Sequence, residues 1–151
     1  MLSDYLQPHL IRVGVTAGDW KEAVRVAGGL LIEAGACEPR YIEAMIEAVG
    51  QFGPYMVLAP GLALAHARPQ DGVLEIGVSL VTLDPPVEFG SEANDPVKLV
   101  IAFGAVDKKR HIGMLQELAL FLDDEQRRER LSQAASVAEV LRMIREVEES
   151  G

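Results

Sequence analysis

From Trp20 to Leu31 the apolar residues recur at the spacing of an amphipathic helix, with Trp20, Ala23, Val24, Ala27, Leu30 and Leu31 on one stripe. Asp19 stands where it can accept unpaired N–H groups of the first turn, and Glu22, three residues on, completes a capping box. Gly35 stops this segment. A second helical stripe, Tyr41, Ile42, Met45, Ile46 and Val49, begins near Glu38-Pro39, proline being suited to a first helical turn. Gly50 with Gly53-Pro54 ends it.

The period then shortens. Tyr55-Met56-Val57-Leu58 reads as a short strand, and Pro60-Gly61 supplies the central pair of a type II turn. Leu62 to His66 is a second extended piece. Ile76 to Leu83 is a third, closed by Asp84-Pro85-Pro86. Asn94-Asp95-Pro96 turns the chain into Val97-Lys98-Leu99-Val100-Ile101-Ala102-Phe103, apolar enough to be a central strand covered on both faces.

Helical periodicity returns in the last third. Ile112, Leu115, Leu118, Ala119 and Leu122 make one stripe, and Asp123-Asp124 opens a short connecting helix. Ser136 with Glu139 caps the last helix, whose stripe is Val137, Val140, Leu141, Ile144 and Val147. Helices, then strands, then helices predict one α/β domain over residues 1–151, a mixed sheet flanked by helices.

Composition narrows the function. The net charge is −9 and the longest cationic run is Lys108-Lys109-Arg110, too short to neutralise many phosphates, so no nucleic-acid partner is expected. The single cysteine, Cys37, rules out an internal disulfide and a Cys-based metal site. With Glu38 beside it, Cys37 reads as an inert small residue. The N-terminal residues lack a signal-peptide pattern, and no apolar run approaches the roughly 18–20 residues of a membrane span. The expected location is cytoplasmic, without membrane insertion.

Candidate chemistry centres on histidine. Of His9, His66 and His111, His66 ends an extended piece among small residues, Ala65 and Ala67, where a large partner can reach its imidazole. A neutral imidazole is nucleophilic and titrates near physiological pH. Arg68, two positions on, shares its face if the strand continues, and its guanidinium would offset the charge of a phosphoryl group. His111 stands at a helix start, where free N–H groups and the helix dipole favour phosphate. From the residues alone, a surface histidine without chemical task is the favoured reading for both. His9, beside Pro8, is read as structural. No Cys/His or His-x-x-x-His spacing supports a metal. Nucleophile-elbow, dinucleotide and Walker motifs are missing too.

The segment from Gly53 to Pro69, centred on Pro60-Gly61-Leu62-Ala63-Leu64-Ala65-His66, resembles the phosphorylation site of the mannitol/fructose-type enzyme IIA of the phosphoenolpyruvate-dependent phosphotransferase system. Glu38-Pro39-Arg40-Tyr41, Val81-Thr82-Leu83, Asn94-Asp95-Pro96-Val97 and Ala105-Val106-Asp107 are similar to the ascorbate-specific branch. Ala65 replaces the proline that usually precedes the active histidine. The arginine that mannitol-type members carry late in the second helix is missing from Ile46-Glu47-Ala48-Val49.

The resemblance implies that His66 accepts phosphate on Nε2 from the phosphocarrier protein HPr, with Nδ1 held by a backbone group. It implies that a cysteine of enzyme IIB then takes the phosphoryl group, linked to a membrane permease IIC. His111 would support the phosphoryl group. Arg68 could offset its charge, and no metal or organic cofactor is required. The rival reading is a regulatory phosphohistidine module of the nitrogen-type class.

Overall fold

Tyr41 and Met45 on one side and Ala27 and Leu31 on the other show how the two predicted N-terminal stripes meet, all of them buried. The computed structural model describes residues 1–150, with the side chain of Phe52 left aside. Helix α1 is Trp20–Glu33 and α2 is Arg40–Phe52. Asp19 caps α1 by accepting the Glu22 N–H at 2.8 Å, while the Glu22 carboxylate reaches back to the Gly18 N–H. Gly28 lets the helices close up, since a Cβ there would stand 2.8 Å from Ile42 Cγ1.

One strand lies ahead of both helices. Strand β1, Ile11–Val15, pairs parallel with the later strand β4, Gly77–Val87. The expected order of helices, then strands, then helices is corrected accordingly. With five residues, β1 is too brief for its alternation to stand out, and Gly14 weakens what pattern there is.

The remaining strands are β2, Val57–Ala59, β3, Leu62–Ala65, and β5, Val97–Gly104. They complete a five-stranded mixed sheet in the order β1-β4-β5-β3-β2. Pro60-Gly61 turns β2 into β3 as expected, with Gly61 at φ 75°. β4 does not close at Asp84-Pro85-Pro86. The ladder is interrupted there, since proline has no N–H to donate, but the chain stays extended and Val87 pairs with Val97.

β5 is the middle strand, buried along almost its whole length. Helix α1 packs on β4 and β5, and α4, Glu125–Ser132, also reaches both strands. Helix α5, Val137–Ser150, packs on β1 and the N-terminal turns, with Val140, Met143 and Ile144 buried. Ser136 and Glu139 form its predicted cap. Helix α3, Lys108–Leu122, is rotated from the expected stripe: Met114, Leu118, Phe121 and Leu122 are buried, whereas Ile112 is exposed and Ala119 faces outward. Leucine and isoleucine on both faces made that segment ambiguous by periodicity alone.

β3 and β5 run parallel, pairing Leu62 with Leu99 through Ala65 with Ala102. Their C-terminal ends therefore open side by side. His66 leaves one end and the turn into α3 leaves the other. Paired parallel strand ends of this kind are where open α/β sheets bind ligands.

Candidate phosphoryl-transfer site

His66 and His111 come from different elements and meet over Phe103. The His66 ring stacks on Phe103 with centroids 5.1 Å apart, and His111 tilts against the same ring at 5.1 Å. The two imidazole centroids are 5.4 Å apart. Tyr55 closes a further side, edge-on to His66 at 6.1 Å, and its hydroxyl donates to the His66 carbonyl at 3.3 Å. Both histidines are partly buried and line one cavity of about 950 Å³.

Tyr41 holds the ground beneath this site. Its hydroxyl accepts the Ala67 N–H at 2.9 Å and donates to the Phe103 carbonyl at 2.8 Å. The residue after His66 is thus tied to the strand carrying Phe103. The phenol is fully buried, and burial pushes its pKa up, so it acts as a neutral linker.

Burial, and secondarily the neighbouring His111, hold His66 below the ordinary imidazole range. A neutral nucleophile at physiological pH follows. Nδ1 is buried without a hydrogen-bond partner. The Leu64 carbonyl lies close enough to favour a ring proton, but no ring nitrogen meets it in hydrogen-bond geometry. Burial of Nδ1 leaves Nε2 as the nitrogen a large donor can approach.

Arg68 does not share a strand face with His66. β3 stops at Ala65, and Pro69 starts a 3-10 turn over Pro69–Asp71. The guanidinium lies exposed on the cavity wall and is held by Asp71 in a two-pronged pair, Nε at 3.2 Å and Nη2 at 3.1 Å. Its charge is already matched.

His9 sits exposed in the turn Pro8–Leu10, outside the cavity. Cys37 is buried and its thiol is pushed up to about 12, which suits an inert role. Ser79 is buried and donates to the Ala27 carbonyl. Among the described residues, no group of three or more His, Cys, Asp or Glu is placed to hold a metal ion. No helix among them is long and apolar enough to cross a membrane.

Residues 4–147 match the family model for the phosphoenolpyruvate-dependent sugar phosphotransferase system, EIIA 2. The chain belongs to this family. It is 46% identical over 136 residues to the ascorbate-specific PTS system EIIA component of Escherichia coli strain K12, covering 89% of this chain and 88% of that one. The solution structure of the mannitol-specific cryptic phosphotransferase enzyme IIA CmtB from Escherichia coli superposes with a TM-score of 0.87 at 38% identity, covering 95% and 97% of the two chains. The complex of enzyme IIA and phosphorylated enzyme IIB for mannitol from Escherichia coli contains a similar chain, with a TM-score of 0.81 at 33% identity and coverage of 92% and 97%.

The protein is thus an enzyme IIA component, a phosphotransferase component of a sugar phosphotransferase system. The fold expected from the resemblance, a single domain with a helix-flanked mixed sheet, is the fold observed. Sequence reading passed over Phe103, Tyr41, Tyr55 and Lys108. Tyr41 carried a usable signal: a hydroxyl on an otherwise apolar stripe must find a buried partner. Phe103 carried none, since in a strand buried on both faces any apolar residue fits.

Proposed function

We propose that His66 is the phosphoryl-accepting residue of this IIA component and that Nε2 is the attacking atom. The observation behind this reading is the pairing of two imidazoles over Phe103 in one cavity, with Nδ1 of His66 buried. Phospho-HPr docks over the cavity, and the Nε2 lone pair attacks phosphorus. The bond from phosphorus to the donor breaks as the N–P bond forms, and the donor leaves with that electron pair. In the second half-reaction a IIB cysteine sulfur attacks, the N–P bond breaks, and the electron pair returns to His66. Such transfer depends on positioning and charge balance.

His111 supports the phosphoryl group from the first turn of α3. Arg68 takes a lesser share, because Asp71 already matches its charge. The sugar class is ascorbate-like, by similarity to the ascorbate-specific relative of E. coli. The protein acts in the cytoplasm and feeds a membrane permease IIC through IIB. The decisive experiment incubates the protein with phosphoenolpyruvate, enzyme I and HPr and maps the added mass. One phosphoryl group on His66 supports the reading, and a stable label on any other residue would sink it.

A further inference from the structure

We propose that Lys108 is the cation that balances the charge of the phosphoryl group on His66, an assignment that rests on His66 being the acceptor. Two cations line the cavity, and one is already matched. Arg68 is held by Asp71, and Arg110, two residues beyond Lys108, is held by the Asp107 carboxylate at 2.9 Å. Lys108 makes no ion pair with a carboxylate among the described residues.

Its position fits the task. Lys108 is the first residue of α3 and His111 lies three residues on, so both stand on one helix face, and both line the cavity with His66. The opposite wall is α2, which presents Ala44, Glu47, Ala48 and Gln51 and no cation. A phosphoryl group brings about two negative charges into this space. Glu47 opposes it, so the uncommitted charge on Lys108 is the one available to balance it. A lysine suits a carrier that must also release its cargo. Its ammonium is a point charge on a flexible stem, without the bidentate geometry by which arginine grips phosphate.

The test measures how phosphoryl is shared at equilibrium between phospho-HPr and the purified protein, comparing wild type with Lys108→Gln, Lys108→Arg, Arg68→Gln and Lys109→Gln. Lys108→Gln is expected to shift the equilibrium roughly five- to tenfold toward the donor, the scale of one partly solvated pair with a doubly charged group. Lys108→Arg should stay within about threefold, since the charge is kept. Arg68→Gln should lose less than Lys108→Gln, and Lys109→Gln, outside the cavity lining, should lose nothing. KM for phospho-HPr should hold while the equilibrium moves.

Three results would overturn the assignment: an unmoved equilibrium for Lys108→Gln, a rise in KM alone, or equal damage from arginine and glutamine. Wild type that cannot be labelled at His66 would bring down the acceptor assignment itself. Normal His66 labelling with an unmoved Lys108→Gln equilibrium would remove Lys108 only.

Discussion

The Tyr41 hydroxyl joins Ala67 to Phe103, accepting the Ala67 N–H at 2.9 Å and donating to the Phe103 carbonyl at 2.8 Å. One side chain of α2 thereby fixes the residue after the acceptor histidine against the strand that carries its stacking partner. Tyr41→Phe keeps the ring and removes both bonds. An unpaired, partly buried Ala67 N–H then costs about 1–3 kcal/mol. Urea denaturation should show that loss with an unchanged m-value. Labelling of His66 should persist at a reduced rate, because the acceptor survives while its placement loosens. Wild-type stability would mean that the two bonds contribute nothing net.

His66→Ala is expected to abolish phosphoryl uptake without unfolding the protein. The ring is partly buried against Phe103, so its loss leaves a gap, but the same change removes a buried, unpartnered Nδ1. These effects oppose each other, and the net change should stay within about 1 kcal/mol. Intact-mass measurement after incubation with the donor system, beside a thermal melt, checks both halves. A residual single phosphorylation would point to a different acceptor.

The depressed pKa of His66 gives a stability window of definite sign. Burial and His111 favour the neutral ring in the folded state, so the unfolded chain binds the proton more tightly. Stability is therefore full above the unfolded value of about 6.5 and falls as pH drops through the folded value. His66→Gln should flatten this slope below the unfolded value of about 6.5. In an NMR titration the His66 midpoint should lie below about 6.5, and His111→Gln should move it upward by removing the second cause of the shift. A midpoint that falls or stays put in His111→Gln would exclude electrostatic coupling between the two rings.

The sequence made the frame of this site legible and left its interior hidden. Helices α1 and α5 were readable because one apolar stripe and a polar cap agreed in each, as at Asp19 and Ser136, and α2 because its stripe follows the proline at its entry. The β2–β3 turn was readable because Pro60-Gly61 fixes its geometry. β1 was not, because it becomes a strand only by pairing with Leu80 to Leu83, some seventy residues away. The pairing of His66 with His111 depended on two parallel strand ends lying side by side, a fact of topology that no local pattern states. Arg68 went the other way: a strand assumed to continue ended at Ala65, and the side chain turned to Asp71.

The Asn94-Asp95-Pro96 segment that suggested an ascorbate-type partner stands at the start of β5, near Gly61, whereas His66 follows the far end of β3. The four residues of β3 put roughly 13 Å between those ends. Its bonds are internal: the Asn94 amide donates to the Val57 carbonyl at 3.2 Å, the Asn94 carbonyl accepts the Gly61 N–H, and Asp95 accepts the Phe89 and Gly90 N–H groups. The segment therefore buttresses the β2–β3 turn, and recipient choice falls to the cavity wall, where α2 offers Glu47, Ala48 and Gln51. The phosphorylated protein is expected to donate to an ascorbate-type IIB domain over mannitol- and fructose-type ones by more than about a hundredfold, a difference of roughly 3 kcal/mol in docking. Ala48→Arg, which puts a cation on the wall that lacks one, should shift that ratio by about tenfold or more, because a charge at an interface changes which partner surface fits. Asn94→Ala should lower stability and leave the ratio as it is. The measurement follows loss of label from His66 with each IIB domain in turn. A ratio that moves with Asn94→Ala and not with Ala48→Arg would return recipient choice to the Asn94-Asp95-Pro96 segment at the start of β5.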